Sequence, residues 1–285
     1  MTASFETRPS GRAIAKNALR SSVEAFGHMK SLFLSATVVS LALGYATFHV
    51  PLFQSHIFKS DSLLTPDIFA SYVAIDLVSI LLWTAVAAPV AVAMHRFILM
   101  GEITSGFLSF GPRHTKLFFL WAAVIRVIEV LLNDSSSLLI KEHPLIGGLI
   151  DFGFGILGLI ALVHLAMIFP AVATEVPSET WQARLGNSWK QMKGHSWLLV
   201  RAGIVAFLPW VLLYVVFWIL FGGLHASEHQ GDLQHSWRLG LAMLVGGAQI
   251  FFVVLGAALA SWLYAWVRQQ PGPSLASAVE VTPLS

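Results

Sequence analysis

The sequence predicts an all-α, polytopic membrane protein. Three observations carry that prediction. Six apolar stretches are long enough, or nearly long enough, to cross a bilayer. Charged residues make up 11% of the 285-residue chain, against roughly 25% in ordinary soluble domains. Lysines and arginines gather in alternate gaps between the apolar stretches. With 56% hydrophobic residues and a mean hydropathy of +0.73, a soluble fold of this length would expose large apolar patches, a problem that lipid removes.

The first apolar run begins near Leu32, after a basic segment at residues 1–31, and is long enough to serve as an anchor instead of the short core of a cleaved signal. That segment is rich in Arg and Ser like a transit peptide, but Glu24 and its continuity into the first span suit a mature helix better. Residues 32–53 and 239–266 carry no Asp, Glu, Lys or Arg. The stretch 72–98 carries one internal acid, Asp76; 145–173 carries Asp151; and 197–221 has Arg201 near enough to its end to snorkel. The weakest stretch, 117–133, is short and contains Arg126 and Glu129.

Charge placement supports the weak third span. Arg8, Arg12, Lys16, Arg20 and Lys30 precede the first span, and Lys59 alone follows it. Arg96, Arg113 and Lys116 lie in the next gap, then Lys141 alone. Arg184, Lys190 and Lys193 follow, with Arg201 at the edge, then Arg238, and Arg268 in the tail. Six spans with both termini in the cytoplasm put most of these cations inside, and removing the third span would break the alternation.

Two cytoplasmic segments read as amphipathic helices. In 11–30, Ala15, Ala18, Leu19, Ser22, Val23, Phe26 and Met29 fall on one arc, and Arg12, Lys16, Asn17, Arg20, Glu24 and His28 cover the other. In 179–196, Trp181, Leu185, Ser188, Trp189 and Met192 share a narrow face opposite Arg184, Asn187, Lys190, Gln191 and Lys193. Such helices lie among headgroups or pack on the protein's own surface. A shift of 166 residues superimposes Leu19 on Leu185, Ser22 on Ser188, Val23 on Trp189, Phe26 on Met192 and Leu32 on Leu198, while Ala74-Ile75-Asp76 echoes Leu149-Ile150-Asp151. The expected picture is three stacked hairpins. The domain plan is then a cytoplasmic segment at 1–31, a six-span domain at 32–267 and a tail at 268–285.

Ionisable groups inside spans cost a few kcal/mol each on translocon scales, about 2.5–3.5 at a helix centre. Arg126 and Glu129 stand three residues apart and can neutralise each other on one face, with Asn133 a turn beyond. A sharper expectation joins Asp76, Arg126, Glu129 and Asp151 in one polar intramembrane site able to take a cation, a proton or a headgroup. His164 is expected to make a helix–helix hydrogen bond, and His95 and Arg96 to meet headgroups at the end of the second span. His225 and His229 have the spacing of a metal pair, but Gly231 favours a flexible loop, and no metal is expected. Gly147, Gly148, Gly153, Gly155 and Gly158 thin the fourth span, and Gly256 with Ala260 makes a small-residue step on the sixth; close helix packing is the expected use of both. Trp197, Trp237, Trp262 and Trp266 fit interfacial belts. Pro89, Pro170 and Pro209 are expected to bend their spans.

Without cysteine there is no disulfide, thiolate metal site or cysteine nucleophile. The metalloprotease H-E-x-x-H, the G-x-S-x-G elbow and the P-loop do not occur, so no catalysis and no cofactor are expected. Basic residues divided among short loops argue against nucleic acid. Membrane lipids are the expected partners, with a protein partner or a homo-oligomer as further ones.

The leading helix before the first span, the stretch His95-Arg96-Phe97-Ile98-Leu99-Met100-Gly101-Glu102, and Phe169-Pro170-Ala171 ahead of the helix bearing Ser188-Trp189-Lys190 together resemble a family of bacterial inner-membrane proteins, similar to the membrane domain found beside some glycerophosphoryl diester phosphodiesterases. The resemblance runs over most of residues 12–267. It implies a helical bundle in the bacterial inner membrane. The phosphodiesterase barrel and its acidic metal ligands have no counterpart, so that activity is not implied. The expected function is a membrane-embedded binding or accessory module that engages lipid or a partner protein. A small transporter using the four polar residues is the alternative, and a lipid-headgroup enzyme the third.

Overall fold

The computed structural model describes residues 9–49, 66–104, 106, 113–142, 144–174, 181–225 and 231–269; for 47–49, 66–72, 133–142, 144, 151, 181–184, 214, 217–225 and 231–247 the backbone alone is described. Among these residues every regular element is helical. The helices are α1 (Gly11–His28), α2 (Lys30–His49), α3 (Pro66–Met100), α4 (Arg113–Glu142), α5 (Pro144–Leu165), α6 (Ile168–Thr174), α7 (Trp181–Met192), α8 (Ser196–His225) and α9 (Gly231–Gln269). Four stretches are long and apolar enough to cross a membrane: Val73–Met100, Leu145–Thr174, Ser196–Leu213 and Ala248–Gln269. A bent pair, Gly11–His28 with Lys30–Ala46, makes a fifth if it counts as one span. This is the make-up of a multi-pass membrane protein. The stretch at 117–133 is helical within α4 but is not among the four, because Arg126, Glu129 and the polar ends of α4 dilute its apolar run.

Ser10 starts α1 by accepting the Ala13 N–H at 3.1 Å. At the other end the Met29 N–H still bonds to the Ala25 carbonyl, and the chain then turns through 97° into α2. The bend lays α1 against α8 and α9. Its buried face is Ile14, Ala15, Ala18, Ser21, Ser22 and Ala25. The expected apolar arc is therefore rotated: Val23 is 72% exposed, whereas Ile14, Ser21 and Ala25 face inward. Small residues win the inner face because they let the helices approach closely. A methyl group on Gly11 would sit 3.0 Å from Cβ of Arg201 and 3.1 Å from the Ala202 nitrogen, too close for any other residue without a shift. Trp262 Nε1–H donates to Ser21 Oγ at 3.0 Å, fastening α1 to α9.

The core lies at the α1 end of the bundle. Residues 88–95 of α3 are buried on every side, as are Val254, Leu255 and 257–261 of α9, the property of a central helix. Alanines dominate this contact, and Ala260 of the expected small-residue step is buried, whereas a methyl group on Gly256 would meet only the Phe207 ring of α8, at 4.0 Å. α2 lies along α9 through Met29, Leu32, Phe33, Ala36 and Ser40, a face with helical spacing. The fourth apolar stretch is broken at Ala166–Met167 into α5 and α6. Pro170 cannot offer an N–H to the Ala166 carbonyl, so the helix yields one turn before it. The short α6 then packs on α3, α4 and α9. Pro89 and Pro209 lie within continuous helices.

The far part of the molecule is loose. α5 and α8 touch over only a short stretch. Next to Gly148, Gly153, Gly155 and Gly158 on α5 and Gly203 on α8, nothing lies within 4 Å of where a methyl group would sit. The close packing expected of the α5 glycines is thus absent at these four, because no helix approaches that face. Trp266 is also not an interfacial residue: it is buried, with the His195 ring edge-on at 4.9 Å. Under the 166-residue shift, the start of α2 coincides with that of α8, Ser22 and Ser188 are both buried, and Val23 and Trp189 are both exposed.

Candidate functional site

Three groups of interacting polar side chains lie at the α1 end of the described core. His95, 1% exposed, shares a hydrogen bond between its Nδ1 and Ser261 Oγ at 2.7 Å, and its ring lies 5.7 Å from that of Phe118. It does not meet headgroups as expected, because α9 and α4 close over the end of α3. The 166-residue shift relates these two positions to each other, as repeats meeting at a shared axis would place them.

Arg96 also turns inward. Its Nε and Nη2 donate to the two oxygens of Glu102 at 2.7 Å each, and its Nη1 donates to the Ala173 carbonyl at 2.9 Å. Gly101 makes this possible. At φ +71 it ends α3 in the left-handed region, its N–H bonds to the Phe97 carbonyl, and the chain folds back so that the Glu102 N–H reaches the Arg96 carbonyl. One guanidinium thus fixes the end of α3, the following loop and the last turn of α6, where its charge also suits the helix dipole. His114 on α4 feels this pair: burial holds its pKa below the usual histidine range, Arg96 lowers it further, and Glu102 partly offsets the effect.

The third group joins the break in the α5–α6 span to α7 and α8. His164 Nδ1 approaches the Ile160 carbonyl at 2.9 Å, Nε2 approaches Ser196 Oγ at 3.2 Å, and the ring stacks on Trp189 at 4.1 Å. Ser188 donates to the His164 carbonyl at 2.6 Å. The helix–helix bond expected of His164 is present. Ser196 and His164 have the reach of a nucleophile and a base. The serine hydroxyl, however, also donates to the Met192 carbonyl at 3.0 Å, and the imidazole is oriented by a main-chain carbonyl alone. The arrangement closes α7 onto the bundle.

Of the four residues expected to form an intramembrane site, the structure joins two. Arg126 and Glu129 pair at 2.8 Å with side chains 52% and 59% exposed. Asp76 is half-buried on α3. Asp151 lies in α5, and its side chain is outside the described residues, as are the side chains of Asn133, Trp237 and His225 and the whole of His229. Among the described residues no group of three or more His, Cys, Asp or Glu is placed to hold a metal.

Among the described residues, a run of exposed cations lies on the outer face of α1. Arg12, Lys16 and Arg20 are exposed along it, with Val23 among them and Lys30 at the start of α2. Only Arg20 has an acidic partner on this helix, Glu24 at 2.8 Å. Lys190 and Lys193 are exposed near α7, and Arg201 lies over the Trp197 ring at 5.3 Å. The spacing of cations on 11–30 was visible in the sequence. The inward turn of His95 and Arg96 was signalled only by Gly101 and Glu102, a helix stop followed by an acid within reach.

Compared with known proteins, the chain matches no family model, no curated protein and no solved structure.

Proposed function

We propose that the chain is a six-span bacterial inner-membrane protein, built as three hairpins with both termini in the cytoplasm, that acts without catalysis as a binding or accessory module on anionic lipid. One observation carries this reading: α1 is clamped to the bundle by its small residues, and its exposed side is the one that carries Arg12, Lys16 and Arg20. A rigid cationic plate at the cytoplasmic surface attracts anionic headgroups at about 1 kcal/mol per basic residue. Because its apolar side is taken up by α8 and α9, the plate meets lipid through charge and the Val23 methyls. A spin label introduced by V23C tests it, in a chain with no other cysteine. The label is expected to lose mobility in nanodiscs containing phosphatidylglycerol relative to phosphatidylcholine alone, and to regain it when Arg12, Lys16 and Arg20 are all changed to Gln. Equal mobility in both lipids removes the reading.

A second reading, a small transporter, is favoured by the Arg126–Glu129 pair, two charges retained within an apolar helix. Glu129→Gln in proteoliposomes is then expected to abolish proton or cation flux, and background flux from the wild type would count against it.

A further inference from the structure

Arg12 and Arg201 belong to different helices, and the fold brings them together. A methyl group on Gly11 would lie 3.0 Å from Cβ of Arg201, and the next Cα along the chain is about 3.8 Å on. The Arg12 Cα therefore lies within about 8 Å of the Arg201 Cβ. Both arginines are exposed. Side chains on a helix lean toward its N-terminus, which carries Arg12 back over Gly11, the residue seated on Arg201. At this separation two guanidinium groups can meet one phosphate.

The pair keeps its charge unopposed. α8 contains no Asp or Glu, and the one acid of α1, Glu24, stands near the far end of that helix and is bonded to Arg20. Among the described residues neither Arg12 nor Arg201 has an acidic partner. Arg201 is steadied by the Trp197 ring, whose centroid lies 5.3 Å from its guanidinium carbon. That contact uses the flat face of the group and leaves its in-plane N–H donors to a ligand.

Depth selects a lipid as that ligand. Gly11 meets α8 at Arg201, about 7.5 Å inside the start of the helix at Ser196, and Ser21 meets α9 at Trp262, about 10 Å inside its end at Gln269, at 1.5 Å per residue. Ser196 and Gln269 are also the ends of two candidate spans. α1 thus lies against the flanks of these spans near their ends, and not over the top of them. Its outer side meets the headgroup layer, where Trp197, 60% exposed, has the amphipathic ring of that boundary.

We propose that Arg12 and Arg201 form one site for the phosphate of an anionic phospholipid. The site rests on the lipid-engaging function proposed above and gives it a defined headgroup position, shared between α1 and α8.

Native mass spectrometry of the full-length protein, released from nanodiscs of equal palmitoyl-oleoyl phosphatidylglycerol and phosphatidylcholine, tests it. The wild type is expected to retain phosphatidylglycerol in preference to phosphatidylcholine, which brings its own cation to the site. Arg12→Gln and Arg201→Gln should each lower that preference about tenfold or more, the worth of a charge-assisted hydrogen bond. Because both hold one phosphate, the double variant should lose little beyond either single one. Lys30→Gln, at an exposed cation past the other end of α1, should lower it about fivefold at most, the worth of one basic residue at an anionic surface. Thermal unfolding checks the fold of each variant. If a Gln variant is unstable, Arg12→Lys and Arg201→Lys keep the charge, lose the forked donor and carry the same cycle. Losses that multiply in the double variant overturn the shared site, as do a loss at Lys30 equal to those at the arginines and a wild type without preference. Excess inorganic phosphate in the sample is expected to leave the lipid bound; displacement by it assigns the pair to free phosphate and overturns the lipid. Failure of the cycle, with the Val23 label still responding to phosphatidylglycerol, removes the shared site and leaves the α1 function standing. A silent label with a coupled cycle does the reverse.

Discussion

The two apolar helices α9 and α8 meet opposite fates. Their apolar spans, of 22 and 18 residues, are about equally hydropathic, yet 61% of the α9 span is buried against 17% of the α8 span. α9 is rich in Gly and Ala where it meets α3, and its neighbours close on it from all sides. α8 carries Leu, Ile, Val and Trp around its whole circumference and leaves most of them outside. The difference teaches that inside a membrane apolarity alone does not build a core. Lipid solvates leucine as well as protein does, so burial follows the small residues that permit close contact and the few polar groups that need partners.

The sharpest way to break this comparison is to delete volume in both regions. Leu255→Ala, at a fully buried position of α9, is expected to destabilise the protein by about 2–5 kcal/mol through its cavity. Leu212→Ala, 54% exposed on α8, is expected to cost under about 0.5 kcal/mol. Denaturant titration in detergent reads both, and equal losses would erase the distinction between the two regions.

Ser261→Ala comes next. It leaves Nδ1 of the buried His95 without its partner and should cost about 1–3 kcal/mol. Ser196→Ala touches a half-buried serine that shares its proton between two acceptors, and should cost less in the same titration. Gly101→Ala strains a residue at φ +71 and should lose about 1 kcal/mol, with the Arg96–Glu102 contact loosened. Gly158→Ala, in a helical and open position, should be neutral or stabilise by up to about 1 kcal/mol.

The smallest effect is the pH dependence of His114. Its folded pKa lies below the ordinary 6.5, so the unfolded chain takes up a proton more readily than the folded one. Stability is therefore expected to fall as pH drops below about 6.5. His114→Gln should make that part of the profile shallower, and an unchanged slope would mean that His114 does not contribute to it.

The helices themselves were legible in the sequence because apolar runs and helical spacing act locally. So was a basic amphipathic segment ahead of an uncharged stretch, but the 97° angle between them was not. What was not legible is which side of each apolar helix faces protein. A helix apolar all round gives no face to read, and lipid and core accept the same side chains. For that reason α5, with its glycines, seemed destined for close packing and instead leaves Gly148, Gly153, Gly155 and Gly158 open. For the same reason the inward arc of α1 was misjudged at Val23: alanine and serine, weak in hydrophobicity, govern approach. His95 and Arg96 seemed to belong to headgroups because they end a span, and only the three-dimensional return of Ser261, Glu102 and Ala173 shows that their partners are internal. Of the expected polar site, the Arg126–Glu129 pair was legible from its three-residue spacing, whereas the relation of distant acids on other helices has no local signature.

Single cysteines are clean probes in a chain that has none, and the split between a packed and an open region can be measured with them directly. Spin labels introduced by A258C, G155C and L212C, compared in nanodiscs, should show an immobile, oxygen-poor label at 258 and mobile labels with strong collision with dissolved oxygen at 155 and 212. Labels at 155 and 212 as immobile and oxygen-shielded as the one at 258 would contradict the division of the molecule into a packed and an open region.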